Sequence, residues 1–130
     1  MIDSLLIDKL KESVEINNYC NGNMYVLSAP IGTPTPYIAV EVKEASEESN
    51  VVNLFNIKIN VYDDNEDKRQ TRAIGKKIIN KLNYTQLNGD GYSAVRLIWQ
   101  EVEVIREPES TLSRVFVLFF ARGCEYIENN

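Results

Sequence analysis

Histidine is missing from this chain of 130 residues, and with it goes the commonest general base and transition-metal ligand. Ser-His-Asp and Cys-His catalysis, and zinc sites built on imidazole, are therefore impossible within one chain. Cysteine is scarce: Cys20 and Cys124 stand far apart and in no metal-type spacing, which predicts two free thiols in a reducing compartment. Long apolar runs are lacking too, since the most apolar stretch, Val115 to Ala121, has seven residues against the roughly 18 to 20 that a membrane span needs. Asp3 and the absence of a basic region ahead of an apolar core speak against a secretory signal. The expectation is synthesis in the cytoplasm, which makes the sequon Asn83-Tyr84-Thr85 a chance match. Positive charge is also in deficit: the formal net charge is -5 and the pI about 4.8. General nucleic-acid binding, which needs clustered Lys and Arg to release counterions, is disfavoured.

What is present fits an ordinary globular chain, 44% hydrophobic and 25% charged, and predicts one domain over residues 1–130 with a core of its own. Ile2, Leu6, Leu10 and Val14 recur at steps of four with Lys9, Lys11, Glu12 and Glu15 elsewhere, the pattern of an amphipathic helix from Ile2 to Ile16 capped by Asp3 or Ser4. Asn17, Asn18 and Asn21-Gly22-Asn23 stop it, and a short strand, Met24 to Ser28, follows. Three of the four prolines fall in Ala29-Pro30-Ile31-Gly32-Thr33-Pro34-Thr35-Pro36. Lacking ladder donors, this segment is predicted as an extended loop.

Ile38, Val40 and Val42 then alternate with Tyr37, Ala39, Glu41 and Lys43 in a half-buried strand. After the acidic tip Glu44 to Asn50 comes the clearest alternation, Phe55, Ile57, Ile59 and Val61 against Asn56, Lys58, Asn60 and Tyr62. Together they predict a long hairpin. A second helix, about Glu66 to Leu82, has Ile74, Ile78 and Leu82 as its stripe. The cluster Asn88-Gly89-Asp90-Gly91 reads as a turn into two strands, Tyr92 to Ile105 and Val115 to Cys124, joined through Arg106 to Arg114. Here Val95, Leu97 and Trp99 oppose Ala94, Ile98, Val102 and Val104. Apolar residues on both faces suggest central strands or a face covered by a second subunit. The resulting order is α-β-β-β-α-β-β, an α+β fold in which two helices cover one face of a mainly antiparallel sheet of about five strands.

No constellation carries chemistry. Asp63, Asn65 and Asp67 imitate the start of a calcium loop, but Lys68 stands where glycine is required and Ile74 where glutamate is, so no metal site is expected. Gly89-Asp90-Gly91 lacks the spacing and the strand-to-helix context of a nucleotide-binding loop, so no cofactor is expected. Glu47-Glu48 and Glu101-Glu103 read as solvated charge rather than acid and base pairs. The helix from 66 to 82 is different: Lys68, Arg69, Arg72, Lys76, Lys77 and Lys81 are six of the chain's fourteen basic residues. At 100° per residue Arg69, Arg72 and Lys76 share one side. That side is either a plain solvated face or a dock for an acidic partner, including the acidic stretch Glu41 to Asp67 of a neighbouring copy. Such head-to-tail contacts close into rings when the rotation permits.

The run Tyr25-Val26-Leu27-Ser28-Ala29-Pro30-Ile31-Gly32-Thr33-Pro34-Thr35-Pro36-Tyr37-Ile38 resembles the "Y-x-x-x-A-P-x-G-T-P-x-P-Y-I" opening of a family of tail-completion proteins of long-tailed phages and prophages. The layout of helices and strands agrees over most of the chain. The resemblance implies a tail terminator: a small α+β structural protein, not an enzyme, that forms a hexameric ring on the tail tube and offers the head its joining surface. Implied partners are other copies of itself, the major tail tube protein and a head-completion connector, with DNA passing through the ring without sequence-specific binding. The implied location is the cytoplasm of an infected or lysogenic host and then the virion tail. Subunit contacts are expected at the Pro-rich loop (Pro30, Gly32, Pro34, Pro36, Tyr37), the hairpin tip (Glu47, Glu48), the basic helix face (Arg69, Arg72, Lys76) and the second hairpin loop (Glu107, Pro108, Arg114). The competing reading is a small adaptor module acting on a host protein.

Overall fold

The computed structural model describes residues 2–47, 52–64, 69–89, 92–106 and 113–125. The chain opens with helix α1 (Ile2–Lys11) and helix α2 (Val14–Tyr19), followed by strands β1 (Met24–Val26), β2 (Tyr37–Glu47) and β3 (Val52–Asp63), helix α3 (Arg69–Leu82), and strands β4 (Gln86–Gly89), β5 (Tyr92–Arg106) and β6 (Ser113–Glu125). The six strands form one sheet in the order β1-β2-β3-β6-β5-β4. All neighbours are antiparallel except β1 and β2. The α+β class with helices on one face of a mainly antiparallel sheet is as the periodicities predict.

The single N-terminal helix is in fact two. The amides of Glu12 and Ser13 bond back three residues, to the carbonyls of Lys9 and Leu10, tightening the end of α1. Ser13 then accepts from the Ile16 amide at 3.4 Å and caps α2, the role a serine hydroxyl fills at a helix start. The break rotates the stripe, so Val14 is 70% exposed while Ile16 is buried. Asp3 lies within the first turn of α1 and accepts from the Ser4 amide. A sixth strand, β4, occupies part of the expected turn, Asp90 and Gly91 lying outside the described residues. The first hairpin is longer than predicted, because β2 runs on through a bulge between Glu44 and Ser46 to pair Glu47 with Asn53. Of the predicted second helix, Glu66 to Lys68 lie outside the described residues.

The helix-covered face of the sheet holds Ile38 and Val40 of β2, the alternating row Phe55, Ile57, Ile59 and Val61 of β3, and Val117, Phe119 and Ala121 of β6. Against them pack Ile2, Leu6 and Leu10 from α1, Ile16 from α2 and Ile74, Ile78 and Leu82 from α3. A bulge between Trp99 and Glu101 shifts the register of β5. Val102 therefore joins Leu97 and Trp99 on this face, not Ile98, since it sits opposite Val117; the side chain of Ala94 lies outside the described residues. The other face carries Glu41, Lys58, Leu118 and Glu101 in one cross-strand row. Asn60 on that face departs from its solvated reading: it is buried, and neither amide atom finds a hydrogen-bond partner among the described residues.

Three side chains hold the helices to the sheet end. Asp63, buried at the end of β3, accepts the Tyr19 hydroxyl at 2.5 Å and the Thr71 hydroxyl at 3.3 Å on the same oxygen. This joins α2, β3 and α3 at one point. Burial, then the bond to Asp63, pushes the Tyr19 hydroxyl well above the usual tyrosine range. Cys20 is a free, buried thiol, raised above its ordinary range by desolvation. The side chain of Cys124 lies outside the described residues.

Candidate assembly surfaces

The Pro-rich loop between β1 and β2 is built rather than merely long. Its base is fixed where the Leu27 amide reaches the Val40 carbonyl at 2.8 Å and the Ser28 amide bonds Val26. Its tip is a turn in which both the amide and the hydroxyl of Thr33 donate to the Pro30 carbonyl, at 3.1 and 2.6 Å. Gly32 occupies this turn at φ +88°, where a side chain would be strained. Pro30, Gly32 and Pro34 are exposed and Pro36, which follows a cis bond, is half-buried. Beyond the loop Tyr37 stacks on Tyr62 with centroids 4.9 Å apart and meets Tyr25 edge-on at 6.2 Å. Burial raises the Tyr37 hydroxyl above its ordinary range. Of the residues expected at this surface, Tyr37 thus belongs half to its own fold.

Most of the loop's apolar groups find no cover. Leu27 is 65% exposed and Ile31 fully so, with Val26 beside them. The sequence holds a signal for this that periodicity does not read: from Ile16 to Val40 there is no Asp, Glu, Lys or Arg, in a chain 25% charged. Depletion of charge is the compositional mark of an interface centre.

The basic side of α3 divides in two. Lys77 pairs with Glu15, and Lys81 with Glu12 at 3.4 Å, while Glu12 also meets Lys9 at 3.2 Å. The Lys9 contact above all, reinforced by Lys81, holds the Glu12 carboxyl below its usual value. Arg72 and Lys76, one turn apart and exposed, have no such acid partner among the described residues, and Arg69 is exposed beside them. The structure therefore keeps Arg69, Arg72 and Lys76 together on the outer side, as the helical angle predicts. The other expected contacts lie largely out of view. Glu47 ends β2 and Arg114 sits in β6 opposite Tyr62 and Ile105, but their side chains are outside the described residues, as are Glu48, Glu107 and Pro108 altogether.

A further surface lies on β5, whose apolar residues on both faces suggest, from the sequence, central strands or a face covered by a second subunit. Ile98, Trp99 and Val102 are 41, 39 and 43% exposed. β4 flanks β5 only as far as Arg96, and the chain at Tyr84 and Thr85 bonds Leu97 while Asn83 accepts the Trp99 amide at 2.9 Å. From Glu101 to Arg106 the outer edge of β5 has no strand beside it among the described residues. Among the described residues none of these surfaces converges polar groups on a point. Among the described residues no helix is long and apolar enough to cross a membrane.

The sequence profile of "Tail completion protein gp17" matches residues 4–122, which is most of the chain. The chain belongs to the tail completion protein gp17 family. Membership makes it a structural protein of a virion tail. Among solved structures, a chain in the virion of a native gene transfer agent particle shares the fold with a TM-score of 0.79 and 16% identity, covering 95% of this chain and 94% of that one. A second solved chain superposes with a TM-score of 0.63 at 11% identity, covering 98% and 93%. No curated protein matches. For this tail completion protein the functional residues are then to be sought on surfaces that meet other subunits.

Proposed function

We propose that this tail completion protein closes the end of a tail tube as a ring of identical copies, a hexamer when assembled, ending tube growth and presenting the surface to which a filled head joins. The observation that carries the reading is the Leu27 to Pro36 loop, a pre-ordered apolar projection that its own chain leaves uncovered. Ordering such a loop in advance lowers the entropy lost on docking. The basic pair Arg72 and Lys76 adds a charged contact for the acidic stretch from Glu41 to Asp67 of a neighbouring copy. The whole chain acts as one domain. Its partners are its own copies, the major tail tube protein and a head-completion connector. Assembly takes place in the cytoplasm of the infected or lysogenic host. Net negative charge suits a channel through which DNA passes without sticking, and the role requires no catalytic group.

The test is electron microscopy of particles released after the gene is deleted from its parent phage or prophage. Overlong or headless tails beside filled heads are the expected result. Normal tails on joined heads would overturn the reading and favour an adaptor acting on a host protein.

A further inference from the structure

The cross-strand register relates the exposed loop to the open edge of β5. Val40, beside which the loop begins, lies in one row with Ile59, Val117 and Val102, and Tyr37, where the loop ends, lies in a row with Tyr62, Arg114 and Ile105. The loop and the uncovered part of β5 are thus at the same height on opposite edges of the sheet. Both are apolar, and both are exposed in the isolated chain: Leu27 and Ile31 on one edge, Trp99 and Val102 on the helix side of the other, with Ile98 on the reverse face. Two different patches on opposite edges cannot satisfy each other within a molecule. Nor do they meet in a two-fold dimer that pairs like with like. They meet when copies are set side by side head to tail, and equal height lets successive copies stay in one plane instead of climbing into a helix.

We propose that the uncharged loop from Leu27 to Pro36 of one copy docks on Trp99 and Val102, which share the helix-side face at the open β5 edge of the next. This rests on the ring reading above and names the contact that would build it. An unpaired strand edge is a standing invitation to association. Here Glu101 and Glu103 interrupt it, which disfavours indiscriminate edge pairing and leaves the apolar side chains to select a partner. The charge-free stretch from 16 to 40 brings no charged side chain to be desolvated at the contact.

The test uses intact particles. A benzophenone amino acid is introduced at Ile31 in the gene carried by the parent phage or prophage, purified particles are irradiated, and adducts are mapped by peptide mass spectrometry. The expected product is a ladder of this chain joined to itself through the peptide bearing Ile98 to Val102. A second variant, with the photoreactive residue at Val102, should return adducts in the 27–36 loop. Adducts with another protein or with a different part of this chain would overturn the proposal, as would no adducts from either position in tails that hold the protein. If wild-type tails lack the protein altogether, the ring reading itself fails. As a second measurement, Ile31→Asp should fold with an unchanged melting temperature yet lower the yield of head-joined particles by at least about tenfold, because a carboxylate placed in an apolar contact is desolvated without a partner. An unchanged yield would count equally against the docking site.

Discussion

Phe55, Ile57, Ile59 and Val61 are no more apolar than Leu27 and Ile31, yet the first set is sealed beneath three helices and the second stands in solvent. The difference lies in what the neighbouring sequence supplies. β3 runs between two long strands and under α3, so each inward side chain meets others from several elements. Among the described residues the loop has no helix over Leu27 and Ile31, which stay exposed, and it is held in shape by backbone bonds at its base and tip. An ordered apolar loop left in solvent is what the proposed docking would bury, at little further cost in ordering.

The largest effect should come from breaking the sealed side of this comparison. Ile57→Ala removes a fully buried side chain from the middle of β3 and should cost about 2–5 kcal/mol, read as a fall in the denaturant midpoint. Ile31→Ala, by contrast, should change stability by less than about 0.5 kcal/mol. If Ile31→Ala cost as much as Ile57→Ala, the loop would be a part of the core and not a docking element.

A smaller effect separates the two ends of the sheet. Asp63→Ala leaves the Tyr19 hydroxyl without its carboxylate partner and removes the bond to Thr71, for a loss of about 1–3 kcal/mol. The same group sets an alkaline limit. Because the folded Tyr19 hydroxyl titrates above its ordinary value of 10.0, its contribution is complete below pH 10 and is lost as the pH rises further, when the unfolded chain sheds a proton that the folded chain keeps. Tyr19→Phe should flatten the fall in stability above pH 10, measured by thermal melts across that range. An unaltered slope would mean that the hydroxyl is not sealed against Asp63.

The same contrast explains what could be read from the residues alone. The β3 row was legible because period-two alternation records burial directly, and so was the stripe of Ile74, Ile78 and Leu82. Val14 was misplaced because the helix breaks before it, where the end of α1 tightens and Ser13 accepts from the Ile16 amide, which spacing cannot show. Val102 was set on the wrong face because a bulge at Gln100 inserts one residue into the count. β4 was invisible because Gln86 to Gly89 has turn-forming composition and becomes a strand only by pairing with β5. At the candidate surfaces the Pro-rich loop could be recognised as a word, and apolar residues on both faces of β5 signalled a covered face, but which of them stay exposed depends on where β4 stops.

The smallest effects test the division within α3. Lys77 is satisfied by Glu15 in its own chain, so Lys77→Ala should cost no more than about 1 kcal/mol and should leave assembly intact. Arg72→Glu combined with Lys76→Glu should do the reverse, with melting unchanged and particle assembly impaired. Acid titration sharpens the point. The Glu12 carboxyl is held below its ordinary value of 4.5 chiefly by its hydrogen bond with Lys9, with Lys81 adding to it. Its small contribution is therefore present above pH 4.5 and fades as the pH falls through the lower, folded value. Glu12→Gln should flatten the stability profile below pH 4.5, and salt should blunt the wild-type slope because these charges are exposed. Lys76→Ala should leave that profile unchanged, since Lys76 meets no acid of its own chain among the described residues. A matching loss in Lys76→Ala would place Lys76 in the internal network and remove it from the docking face.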